Sequence, residues 1–177
     1  MMTQTNNEKF FESPYQPLMY KGYSIVFQEV PDEVALAINI SGCQHHCPGC
    51  HSKYLWNNDG ALPLKDDFIK LLKEYKDFIT CICFMGGDQN PIDLTYFLSI
   101  ARCNGLKTCL YTGATYDQLD KRIVSYLDYL KVGPFIEQYG GLHSPTTNQR
   151  FYSVFFNENT KEIDLKDKTY LFNQEKR

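Results

Sequence analysis

The stretch VALAINISGCQHHCPGCHSKYLW, Val34 to Trp56, decides how the rest of this chain is read. Its first seven residues, Val34 to Ile40, are apolar almost throughout, which suits a strand buried on both faces, as in a parallel sheet. The remainder packs Cys43, Cys47 and Cys50, three of the seven cysteines, into eight residues. The spacing C-x3-C-x2-C presents three soft ligands from one loop, and the Pro48-Gly49 turn bends the backbone around whatever they hold. Structural zinc sites use four protein ligands and iron–sulfur cubanes are usually held by four cysteines, so three ligands leave one position open for a substrate or cofactor. In α/β proteins the loop at the C-terminal end of a parallel strand is where ligands bind.

Two alternatives stand beside an iron–sulfur cluster. Structural zinc needs a fourth ligand. His51 is adjacent to Cys50 and poorly placed to converge with it; His45, His46, Cys81 and Cys83 are the other sources. The thiols could also be uncommitted. A disulfide framework is disfavoured, because the opening MMTQTNNEKF carries no charged-then-apolar export pattern. The expected setting is the reducing cytoplasm.

At 177 residues the chain fits one domain spanning residues 1–177, large enough to bury about 70% of the surface exposed when unfolded. A net charge of −3 with no Lys/Arg-rich run argues against nucleic acid as partner. No apolar run approaches the ~20 residues needed to cross a bilayer. Residues 1–19 read as an irregular arm whose aromatics, Phe10, Phe11 and Tyr15, pack against the body. Tyr23 to Val30 reads as a strand, and Leu64 to Tyr75 as an amphipathic helix with Phe68, Leu71, Leu72 and Tyr75 on one face. Ile79 onward is a strand ending in Met85-Gly86-Gly87-Asp88. Asn90 as cap, Pro91 at the first position and Asp93 three beyond the cap start the next helix, which Gly105 ends.

Leu106 to Gly113 is a further strand, Thr115 with Gln118 forms a capping box for a helix to about Tyr126, and Tyr129 to Gly133 is a fourth strand. Phe151 to Phe156 reads as the last strand, before a polar tail over 157–177. Such βαβα alternation predicts a mostly parallel sheet with outer helices. A closed eight-unit barrel takes about 250 residues, so the expected fold is α/β, an open, partial (βα) barrel with a lateral gap beside the cysteine loop. Cys81, Cys83, Cys103 and Cys109 read as small buried hydrophobes. Trp56 serves equally as a packing anchor or a site residue, and His143 has no identifiable partner.

At Cys43, Cys47 and Cys50 the chain resembles the radical S-adenosylmethionine superfamily. The CPGC run followed by His51 resembles more particularly the activating proteins of the anaerobic ribonucleotide reductase. Tyr111-Thr112-Gly113, Val132-Gly133-Pro134-Phe135 and Asn148-Gln149-Arg150 resemble the YTG, DGPF and NQR segments of that family in type and order. Val132 stands where the family often has Asp, and Gly49 where many superfamily members have an aromatic residue. The resemblance implies one [4Fe-4S] cluster on the three cysteines, with S-adenosyl-L-methionine at the fourth iron. It places Gly49, Cys50 and His51 at the adenosyl part, Gly86, Gly87 and Asp88 at the methionyl ammonium, and Tyr111 in the cofactor site.

The implied activity is generation of a 5′-deoxyadenosyl radical that installs a glycyl radical on the large catalytic subunit of the reductase, with flavodoxin or ferredoxin as electron donor. Activation of another glycyl-radical enzyme, such as pyruvate formate-lyase, is the nearest alternative, and a zinc-stabilised binding module without catalysis is the alternative from another class. Arg150 reads either as a carboxylate-paired surface residue or as a cofactor or partner contact.

Overall fold

The computed structural model describes residues 14–173, whose strands join into one eight-stranded mixed sheet. In chain order its elements are β1 (Met19–Val26), β2 (Ala35–Ile40), β3 (Leu62–Pro63), α1 (Leu64–Tyr75), β4 (Cys81–Met85), α2 (Pro91–Cys103), β5 (Lys107–Tyr111), α3 (Lys121–Val124), β6 (Tyr129–Val132), β7 (Arg150–Asn157) and β8 (Glu162–Asp167). The spatial order is β3-β1-β2-β4-β5-β6-β7-β8, with β3 and β8 at opposite edges, so the sheet is not closed. Only the central strands β2, β4, β5 and β6 run parallel; β3, β1, β7 and β8 join antiparallel. The expectation of a mostly parallel sheet therefore holds for the middle and fails at both flanks. At the flanks β1–β2 and β7–β8 are hairpins, which need no crossover helix, while β3 and β7 arrive through longer loops.

The sheet has two chemically different faces. Leu36, Ile38 and Ile40, Ile82 and Phe84, Leu110, and Leu130 share a core with Leu64, Phe68, Leu71 and Leu72 of α1 and Leu94, Phe97, Leu98 and Ala101 of α2. The other face presents smaller groups, Ala35, Ala37, Cys81, Cys83 and Cys109, covered by Val30, Leu142 and Phe172 from loops. Alternation along each strand separates the sets, because successive side chains point to opposite faces. Cys81, Cys83 and Cys109 are fully buried, as expected of small apolar groups. Cys103 is not: it is exposed at the last position of α2.

α1 runs over the residues its periodicity predicts, and α2 starts as its capping residues predict. The Asn90 side chain accepts from the Asp93 N–H at 3.0 Å and donates to the Gln16 carbonyl at 2.9 Å. Gln16 belongs to the expected arm, so this part of it is tied to the body; Phe10 and Phe11 lie outside the described residues. Asn90→Ala removes both bonds at a buried position and should cost about 1–3 kcal/mol, read as a lower urea midpoint at unchanged slope. Asn90→Asp keeps the cap but not the donor and should fall between.

Three boundaries differ from expectation. β1 starts four residues early, because Met19 and Tyr20 pair with Pro63 and Leu62 of β3, a partner that lies outside any local window, and it ends four residues early, its last pair being Val26↔Ala35 of β2. Phe27, counted as strand by its composition, lies beyond the end of β1 and is exposed. The capping box of Thr115 and Gln118 is present, but it closes only a 3-10 turn, Tyr116–Gln118. Leu119 is then extended and Asp120 starts α3 afresh, its carboxylate accepting from the Arg122 N–H at 2.9 Å. The expected polar tail contains β8, which pairs with β7 from Asn157↔Glu162 to Tyr152↔Asp167. Residues 174–177 of that tail lie outside the described residues. No helix among the described residues is long and apolar enough to cross a membrane.

Candidate cluster and cofactor site

Register brings Asn39, Met85, Tyr111, Lys131 and Phe151 into one row across β2, β4, β5, β6 and β7. Above it, the loops leaving the C-terminal ends of the parallel strands surround a cavity of ≈ 350 Å³. Cys43, Cys47 and Cys50 line it from the loop after β2, and Gly86, Asp88 and Gln89 from the loop after β4. Thr112 and Gly113 follow β5, Phe135 and Gln149 come from the loop after β6, and Met85, Tyr111 and Lys131 contribute from the row beneath.

The cysteine loop is shaped by its own backbone. The Cys47 carbonyl accepts from the Cys50 N–H at 3.1 Å, with Pro48 second and Gly49 third at φ +75°, the residue pattern of a type II turn. That φ is what demands glycine here. The Ser52 N–H donates to the Cys50 sulfur at 3.3 Å, which fixes the position of that side chain on the loop. The loop is pinned at both ends: the Cys43 N–H donates to the Leu55 carbonyl at 3.0 Å, and Gln89 donates to the Ser41 carbonyl at 3.0 Å. Burial pushes the Cys43 thiol up, while the His45 and His46 backbone N–H groups work against that shift.

The expected cofactor contacts divide. Cys50, Gly86, Asp88 and Tyr111 line the cavity. Gly49 does not: a side chain there would meet Glu137. His51 is outside too, edge-on to the Phe135 ring at 5.5 Å. Gly87 has φ +113°, and a Cβ on it would point at Leu94, Leu18 and Ile40, the helix-side core rather than the cavity. The Tyr111 hydroxyl is committed to the Glu29 carbonyl.

Motifs distant in sequence meet here. Asn148 donates to the Pro134 carbonyl at 2.9 Å and Gln149 to the Gly133 carbonyl at 3.3 Å, so the segments 132–135 and 148–150 pack on each other. Arg150 turns away; it donates to the Thr147 and Gln149 carbonyls and pairs with Asp167 at 3.8 Å, the carboxylate-paired reading. His143 does have a partner, the Phe172 carbonyl at 3.0 Å. His45 bridges Asp88 at 3.1 Å and Thr112 at 3.4 Å, and its ring fills the space above Gly113. Trp56 lines the cavity with its ring stacked on His46 at 4.6 Å, and its indole N–H is buried without a partner.

Lys131 is the site residue that strand composition concealed. It is 8% exposed, and its ammonium donates to the carbonyls of Gly133 at 2.9 Å and Thr112 at 3.3 Å. Burial pushes it down to about 8, against the pull of Cys47, Cys50 and Asp88. Only the pairing Tyr111↔Lys131 reveals that it faces the cavity.

The donor set fits an iron–sulfur cluster. Among the described residues no three His, Cys, Asp or Glu side chains gather around a single ion. A cubane takes one thiolate on each of several irons, and Cys43, Cys47 and Cys50 all line one cavity. The unpartnered indole N–H of Trp56 offers a bound molecule a donor in the same cavity.

Fold and site together define an α/β iron–sulfur protein with its cysteine loop at the C-terminal ends of parallel strands. The chain belongs to the family described as the 4Fe-4S single cluster domain, which matches residues 34–152. It is similar to the anaerobic ribonucleoside-triphosphate reductase-activating proteins of Salmonella typhi and Escherichia coli (strain K12), each 29% identical over 111 residues, covering 55% of this chain and 72% of the relative. The protein of that name from Vibrio cholerae is 28% identical over 112 residues, 56% of this chain and 72% of its own. These relatives bear out the resemblance that the CPGC, YTG and NQR segments carry. No solved structure matches the chain.

Proposed function

We propose that this protein is a radical S-adenosylmethionine activase that installs a glycyl radical on the anaerobic ribonucleotide reductase. One observation carries the reading: the three thiols of C-x3-C-x2-C and the Gly86/Asp88 strand end line the same cavity. In this reading Cys43, Cys47 and Cys50 each hold one iron of a [4Fe-4S] cluster. The eight-stranded sheet curls as an open, partial barrel whose lateral gap admits the partner's glycine loop. Residues 14–173 act as one domain in the cytoplasm, with flavodoxin or ferredoxin as donor.

S-adenosylmethionine bound at the fourth iron would supply, when an electron passes through the cluster, methionine and a 5′-deoxyadenosyl radical able to take a Cα hydrogen from glycine. The chain's own residues bind, orient and exclude water. Asp88 complements the methionyl ammonium through a charge-assisted hydrogen bond, trading His45 for it, and Gly86 lets backbone approach closely. Met85, Trp56 and Phe135 wall the cavity with apolar surface, keeping water from a reactive radical.

The test mixes anaerobically purified protein, reductant, S-adenosylmethionine and the reductase, and looks for a glycyl radical by electron spin resonance. The protein should be brown, with about four irons per chain. A colourless protein holding one zinc, or a loaded protein that leaves the reductase without a radical signal, would overturn the reading.

A further inference from the structure

Lys131 is a buried cation in no ion pair among the described residues. Its hydrogen bonds go to the neutral carbonyls of Thr112 and Gly133. An ammonium removed from water and left unpaired is strongly unfavourable, so a fold that keeps one has a negative group to set against it. The carboxylates nearby are engaged: Asp88 holds His45 at 3.1 Å, and Glu29 accepts from the Gln28 N–H at 3.2 Å. The cavity that Lys131 lines also holds Cys43, Cys47 and Cys50, and nothing else among its lining residues would be as negative as three thiolates. Lys131, with Tyr111 and Gln149, also lines a second cavity of ≈ 260 Å³.

We propose that Lys131 is the countercharge of the cluster, a fixed positive charge beneath the cysteine loop that raises the cluster's reduction potential. The inference rests on the activase reading for the presence of the cluster. Each thiolate brings a negative charge, and reduction adds one more, so a nearby cation stabilises the reduced form more than the oxidised one. That effect is strong where water is excluded. The carbonyls that Lys131 grips belong to the residues immediately after β5 and β6, so strand pairing fixes the position of the charge.

The test compares wild type, Lys131→Met and Lys131→Arg after anaerobic reconstitution, titrated with dithionite and mediator dyes, without S-adenosylmethionine. At equal iron content the Met variant should show at least a tenfold higher ratio of oxidised to reduced cluster at a given potential, about 59 mV for a one-electron couple. The Arg variant should stay within a few-fold of wild type. Melting of the cluster-free proteins supplies a second readout: Lys131→Met should melt above wild type, because the uncompensated charge is gone.

Unchanged potential in Lys131→Met, or lowered melting of its cluster-free form, overturns the proposal and leaves Lys131 as a structural donor to two carbonyls. Should the Met variant take up no iron, the cluster-free melting comparison decides alone. Lost S-adenosylmethionine affinity at unchanged potential would make the cofactor carboxylate the partner of Lys131, against the proposal. Wild type without iron would instead refute the activase reading, before any variant is made.

Discussion

Alanine at Cys43, Cys47 or Cys50 is expected to leave the purified, anaerobically reconstituted protein without a stable cluster and without S-adenosylmethionine cleavage. The three thiols line one cavity on a loop pinned at both ends, and no other cysteine is placed to substitute. Cys81, Cys83 and Cys109 are buried in the covered face of the sheet, and Cys103 lies exposed at the end of α2. Burial drives the Cys81 and Cys109 thiols well above the usual thiol range, which keeps them protonated and poor ligands. Alanine at these three buried positions should cost only packing, on the order of 1 kcal/mol each, and at Cys103 less, with iron content unchanged throughout. Iron per chain and visible absorbance check both halves. Iron lost from Cys81→Ala but kept by Cys43→Ala would show the ligand assignment to be wrong.

Gly87→Val is expected to act on stability more than on cofactor binding. As half of a glycine pair at a strand end, Gly87 reads in sequence as a place where backbone lies against the cofactor, and valine there as a block to binding. Its geometry directs the effect elsewhere. With φ at +113°, a branched side chain is strained, and its Cβ would sit 3.4 Å from Leu94 and 3.5 Å from Leu18, within the core under α2. Strain and crowding together should cost about 3 kcal/mol, or roughly 10 °C in melting temperature for a chain of this size. Thermal unfolding of the cluster-free protein, beside S-adenosylmethionine affinity of the loaded one, separates the two accounts. Normal melting with affinity lost would place Gly87 on the cofactor after all.

Much of the site was legible because its signals are local. The C-x3-C-x2-C spacing, the Pro48-Gly49 turn, the stripe of α1 and the cap of α2 each depend on residues within a few positions of one another. Backbone geometry at that range is set by the residues themselves, so Leu64–Tyr75 and the Asn90 cap appear as predicted. The order of strand ends follows from the same local punctuation, which is why Gly86, Asp88 and Tyr111 fall on the cavity with the cysteines.

What the sequence could not determine depends on register between strands far apart in the chain. β8 looks like polar tail until β7 gives its backbone groups partners, and β1 takes its limits partly from β3, some forty residues away. Lys131 looks like a strand residue until pairing with Tyr111 turns it toward the cysteine loop, and His45 finds Asp88 only once two strand ends lie side by side. In a sheet, one residue of register decides which face a side chain occupies. The sequence therefore determined which residues could hold a cluster. Tertiary structure alone decided which charge lines the cavity beside the cysteine loop and which glycine faces the core instead.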